Sequence, residues 1–92
     1  YTIRMDEKIR NIISDKLDEI FVKNDEISKI ISSMDSLDSK SLSYGIMIGR
    51  LYNSFYYQHR RILGRDPTTD EFLEFLEFVK SNQKNFQGKL GF

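Results

Sequence analysis

Ninety-two residues with no net charge, 39% apolar and 30% charged side chains, and seven Phe and five Tyr exclude a disordered segment and point to one domain, whose core stays modest unless it oligomerises. With no Cys and a single His, disulfide frameworks, thiolate chemistry and histidine-pair metal sites are excluded, and the lack of thiols fits a reducing, cytoplasmic setting. Apolar runs such as Ile46 to Ile48, three residues at most, are far below the roughly 20 residues of a membrane helix, and no charged-then-apolar leader opens the chain.

Expectation therefore excludes a membrane partner, and a start at Tyr1 instead of Met reads as a piece of something longer. From Met5 the apolar residues Ile9, Ile12, Ile13, Leu17, Ile20, Phe21, Ile27, Ile30, Ile31 and Met34 recur three or four apart, the spacing of one helical face. They predict a first helix over residues 6–33, about 42 Å long at 1.5 Å per residue, with Asp6 and Glu7 at its positive end. Asn24 interrupts the stripe. Asn24 and Asp25 are able to cap a fresh helix, but the phase of the stripe is kept across them, which favours one continuous helix.

A serine-rich stretch, Ser32 to Ser43, reads as the first turn. A second helix is predicted over 41–63, with Tyr44, Ile48, Leu51, Tyr52, Phe55, Tyr56, His59, Ile62 and Leu63 on one broad face and Ile46, Met47 and Tyr57 outside it. A helix apolar on more than one side is contacted on more than one side, so this one should be central. Leu63-Gly64 reads as a helix stop, Asp66-Pro67 as a turn and Thr68-Thr69-Asp70-Glu71 as a capping box. A third helix is predicted over 69–82, with Phe72, Phe75, Leu76 and Val79 inward and Asp70, Glu74 and Glu77 outward. Residues 1–82 thus form a single helical domain, and 83–92 read as a polar tail in which Phe86 or Phe92 is able to dock back.

Charge is unevenly placed. Residues 1–38 hold six basic and nine acidic side chains, residues 39–65 hold Lys40, Arg50, Arg60, Arg61 and Arg65 with no acid, and residues 66–82 hold five acids against Lys80. A basic central helix between two acidic ones is the pattern of intramolecular complementarity.

Four motifs bear on function. Gly45 and Gly49 form a small-xxx-small pair that costs about 1 kcal/mol per glycine relative to alanine, so close approach of another backbone is expected, from the first helix or from a second copy. His59, the lone histidine, falls near Asp15, Lys16 and Glu19 when the first two helices fold as an antiparallel hairpin, and reads as a satisfied residue at the core edge. Glu71, Glu74 and Glu77 fan across a face expected to be solvated, not onto a metal. The cations Arg60, Arg61 and Arg65 beside Tyr56 and Tyr57 suit phosphate contacts, but in a helix-turn-helix arrangement the acidic third helix would face phosphates with the wrong sign.

The expected architecture is an all-α bundle, a long antiparallel helix hairpin crossed by a shorter third helix. Because the long stripe outruns the third helix, a homodimer is expected to cover the remainder, with Gly45, Ile48, Gly49 and Tyr52 nearest the seam. The expected function is a self-associating protein–protein interaction module, open also to another protein partner. The alternative is a small nucleic-acid-binding or regulatory protein using Arg60, Arg61 and Arg65. No nucleophile, base and orienting group can be linked, so neither an enzyme nor a cofactor is expected.

Overall fold

The computed structural model describes residues 5–23, 25–34 and 38–84. The protein is all-α, with α1 over Glu7–Val22, α2 over Asp25–Ser33, α3 over Ser39–Gln58 and α4 over Thr69–Ser81; no strand occurs among the described residues. None of these helices is long and apolar enough to cross a membrane.

Each start has a visible cause. Asp6 lies just outside α1, its carboxylate accepting from the backbone N–H of Lys8 and Ile9 at 2.9 and 3.2 Å, which satisfies two of the orphan donors of the first turn. Asp38 does the same for α3, accepting from Lys40 N–H at 3.2 Å and from the Ser41 hydroxyl at 2.8 Å. The hydrogen bond from Ser41, with that from Lys40, holds the Asp38 carboxyl below its usual range. Of the serine stretch predicted as a turn, Ser32 and Ser33 belong to α2 and Ser39, Ser41 and Ser43 to α3, which starts two residues earlier than predicted, and residues 35–37 lie outside the described residues. Thr68 and Glu71 form the predicted capping box: Thr68 Oγ1 accepts from Glu71 N–H at 3.2 Å, and Glu71 Oε1 accepts from Thr68 N–H at 2.8 Å.

The single long first helix is not observed. α1 stops at Val22, Lys23 turns out of helical geometry at φ −110° and ψ 61°, and α2 begins at Asp25 with Asp25 and Glu26 against its positive end. Asn24 itself lies outside the described residues. The break redirects the chain, and both α1 and α2 pack on α3. Most of the predicted stripe is therefore covered within one copy, Ile9, Ile13, Leu17, Ile20, Ile27 and Ile31 being buried, while Ile30 and Met34 stay 41% and 47% exposed.

α3 is central, as its two-sided apolar pattern implied, but its buried face is turned from the predicted one. The core ridge is Met47, Leu51 and Phe55, four apart and fully buried, continued by His59; Met47 had been placed outside, while Ile48 and Tyr52 are exposed. The last predicted turn of that helix is a π-turn, His59–Leu63, ended by Gly64 in the left-handed region at φ +68°, where a residue without Cβ is unstrained. The Phe55 and Phe75 rings stack at 4.7 Å between centroids and pin α4 to α3.

Candidate interaction surface

α4 is set differently from its predicted stripe. Phe75 is buried, but Leu73 and Leu76 are 48% and 45% exposed, and Glu71 and Glu74 are buried at 3% and 4%. The expectation of a solvated carboxylate face holds only for Glu77. Arginines at other points of the chain account for the difference. Arg65 donates to Glu71 through Nη1 at 2.7 Å and Nη2 at 3.1 Å, a two-pronged contact. Arg10 donates to Glu74 Oε2 at 2.6 Å, and the backbone N–H of Met5 donates to Oε1 at 3.1 Å. Buried carboxylates are tolerated when paired and hydrogen-bonded in this way. Arg65, followed by the Thr68 amide, holds the Glu71 carboxyl down at about 2, against the opposing push of burial.

His59 sits inside this arrangement, in the core where a place at its edge was predicted. Its ring is fully buried, 4.5 Å between centroids from Phe55. Nδ1 lies 2.7 Å from the Phe55 carbonyl oxygen, and a carbonyl only accepts, so Nδ1 carries the proton. Among the described residues Nε2 has no hydrogen-bond partner, and it faces Glu71 Oε2 at 3.6 Å. The site comes from the π-turn, a widened turn that is frequent at functional positions, together with the capping residue Glu71. The sequence held one clue to it: Arg65 lies six residues before Glu71 across a tight turn.

The arginines proposed for phosphate contact are largely engaged. Arg60 Nε donates to Asp66 at 2.6 Å while its guanidinium lies over the Tyr56 ring, 5.4 Å from the centroid. Arg65 is held by Glu71 and by the Asp66 carbonyl, and Arg61 Nε donates to the Gln58 side-chain oxygen at 3.0 Å. Two of the three thus meet a carboxylate of their own chain. Among the described residues no group of His, Cys, Asp and Glu is arranged to hold a metal ion.

Gly45, Ile48, Gly49 and Tyr52 do form one surface, open to solvent. A Cβ placed on Gly45 or Gly49 meets nothing within 4 Å, so among the described residues no helix of the same copy crosses there, and the close crossing by the first helix is not observed. Ile48 and Tyr52 are 37% and 44% exposed. Across a shallow groove of about 270 Å³, Ile48 faces Leu76, Val79 and Lys80 of α4, with Tyr44 on its own side. Tyr52 meets the rings of Phe72 and Phe75 at 6.2 Å, joining the strip to α4. The contribution of Leu76 was not foreseen. Its signal was present: apolar residues at 72, 73, 75, 76, 78 and 79 occupy more than one side of a helix, the same sign that marked α3.

Fold and surface together define a small all-α bundle with one apolar face left open along α3 and α4. The chain matches no protein-family model, no curated protein and no solved structure.

Proposed function

We propose that this protein is a helical interaction module that pairs with a second copy of itself through the α3–α4 face, in a cytoplasmic setting consistent with its lack of cysteine. The observation carrying this is the bare backbone at Gly45 and Gly49. Each glycine costs an exposed helix about 1 kcal/mol relative to alanine, and nothing among the described residues of one copy compensates. A second helix approaching closely along that groove would. The occupant is a second copy because a two-fold interface sets the same patch against itself, and Gly45, Ile48, Gly49 and Tyr52 carry no charge that self-juxtaposition would oppose. Leu76, which lines the groove with Ile48, extends the patch onto α4. The nucleic-acid alternative through Arg60, Arg61 and Arg65 draws less support, because carboxylates already neutralise Arg60 and Arg65.

Sedimentation equilibrium at micromolar and near-millimolar concentration is the test. The native chain is expected to gain mass towards a dimer, and Gly49→Leu, whose Cβ meets no described atom of its own copy within 4 Å, is expected to stay monomeric with its helical signal intact. A native chain that remains monomeric up to millimolar concentration would overturn the proposal.

A further inference from the structure

On the opposite side of α3, facing α1, lies a cleft of about 270 Å³ lined by Lys16, Arg50, Asn53, Ser54, Tyr57 and Gln58. From this geometry we infer that the cleft is a binding site for a phosphate dianion, either free or as a phosphate monoester.

Three features carry the inference. The first is register. Arg50, Asn53, Ser54, Tyr57 and Gln58 stand at successive steps of three, one, three and one along α3, which stacks them on one stripe, and Lys16 of α1 closes the cleft from across the groove. The second is the donor set. No carboxylate lines the cleft, and residues 39–65 contain none at all. Among the described residues Arg50 forms no ion pair, and its planar guanidinium matches two phosphate oxygens. Gln58 gives its carbonyl oxygen to Arg61 at 3.0 Å, which leaves its amide N–H groups as the part able to donate. The third is Ser54, a hydroxyl side chain on a residue only 5% exposed that lines the cleft and makes no hydrogen bond with the described residues.

The competing charge is modest. Lys16 Nζ is 3.6 Å from Glu19 Oε2, a long contact between part-exposed groups, and such pairs hold little energy against a dianion in the same place. On its far side Arg50 lines a separate groove with Glu19 and Glu26, so Arg50 marks the acidic limit of the cleft.

The test is a titration of the full chain with inorganic phosphate and, separately, with phenyl phosphate, followed by amide ¹H–¹⁵N spectra, against sodium chloride at matched ionic strength. Saturable shifts centred on Lys16, Arg50, Ser54 and Gln58 are expected from phosphate and absent from chloride. Tighter binding of phenyl phosphate would assign the site to monoesters, and equal or tighter binding of inorganic phosphate to the free ion. Arg50→Gln should weaken binding about tenfold, the loss of one charge-assisted contact, and Asn53→Asp, which adds a carboxylate to the cleft, should abolish it. Both substitutions fall on exposed positions, and their spectra report whether the fold is kept. No saturation, equal shifts with chloride, an unchanged affinity in Arg50→Gln, or shifts confined to Arg60 and Arg65 would each overturn the inference. Because Lys16, Arg50 and Ser54 are not among the seam residues Gly45, Ile48, Gly49 and Tyr52, phosphate shifts and dimer mass are read separately, and a failure here leaves self-association standing, as the reverse does for the cleft.

Discussion

Nε2 of His59 stands 3.6 Å from Oε2 of Glu71, with the two side chains 0% and 3% exposed. The pair sits where the π-turn that closes α3 meets the first turn of α4. Glu71 has one oxygen shared between Arg65 and the Thr68 amide, and the other turned towards Arg65 and His59. One carboxylate thus caps a helix, binds an arginine and faces the only imidazole.

The first prediction concerns where the imidazole proton sits. Since Nδ1 is 2.7 Å from the Phe55 carbonyl oxygen, the neutral ring is expected as the Nδ1–H tautomer, the less common form for a free histidine. Long-range ¹H–¹⁵N correlation spectra read this directly from the two nitrogen shifts. An Nε2–H tautomer would mean that the ring is turned and the contact with Glu71 is a hydrogen bond instead.

Glu71 should dominate the acid limb of stability. Its carboxyl is held at about 2 against an ordinary 4.5, chiefly by Arg65. At roughly 1.4 kcal/mol per pH unit this is about 3.5 kcal/mol, and solvent screening at the half-exposed Arg65 lowers it to about 2 kcal/mol. The folded value lies below the unfolded one, so this stability is fully present above pH 4.5 and is lost as pH falls through about 2. Glu71→Gln keeps an oxygen for the Thr68 amide but cannot carry the charge. Urea midpoints measured from pH 7 down to 2 should fall for the native chain and be flatter for the variant, which starts lower at pH 7.

Gly45→Ala and Gly49→Ala should each raise the stability of a single copy by about 0.5 to 1 kcal/mol, since both sites are helical, exposed and free of any atom a Cβ would strike. The same changes crowd the proposed seam. Thermal melts at low concentration should therefore rise while dimer affinity falls, a pairing of opposite signs that a merely surface-exposed glycine would not produce.

What was legible in the sequence is what local chemistry controls. Gly64 and the Thr68–Glu71 box are read from neighbours within four residues and occupy their predicted roles, while Asp6, predicted as the first helical residue, caps α1 from one position outside it. The strip Gly45, Ile48, Gly49 and Tyr52 was legible as a unit because helical spacing alone puts it together. What failed depends on distant partners. Periodicity treats a carboxylate as solvent-facing, yet Glu74 is buried because Arg10, sixty-four residues earlier, and the Met5 amide reach it. The rotation of α3 that buries Met47 and exposes Ile48 follows from where α1 and α2 land, and their separate placement rests on the turn at Lys23. A stripe whose phase is kept through an interruption does not distinguish a straight helix from two that meet at an angle.

Phe75 tests how α4 is fastened. It is 2% exposed and stacks on Phe55 at 4.7 Å, while Leu73 and Leu76 on the same helix stay open to solvent. Phe75→Ala removes the main apolar anchor of α4 and is expected to cost about 3 to 5 kcal/mol in urea unfolding. Leu76→Ala should cost under about 1 kcal/mol in a single copy, the range of an exposed substitution, though it should weaken dimerisation.

Glu74→Gln separates the polar fastening from the apolar one. Glutamine still offers an oxygen to the Met5 amide but loses the charge that Arg10 meets at 2.6 Å. Arg10 is 44% exposed at its side chain and can turn back to water, so the global cost is expected to be about 1 kcal/mol, well below that of Phe75→Ala. The local effect should be larger. Met5 and the first turn of α1 are tied to α4 through this carboxylate, and opening of a chain end needs less free energy than global unfolding. Hydrogen exchange at the α1 amides from Arg10 to Ile13 should accelerate in Glu74→Gln while that at Leu51 and Phe55 barely changes. Uniform acceleration at both places would show instead that α4 and the start of α1 come apart only when the whole bundle does.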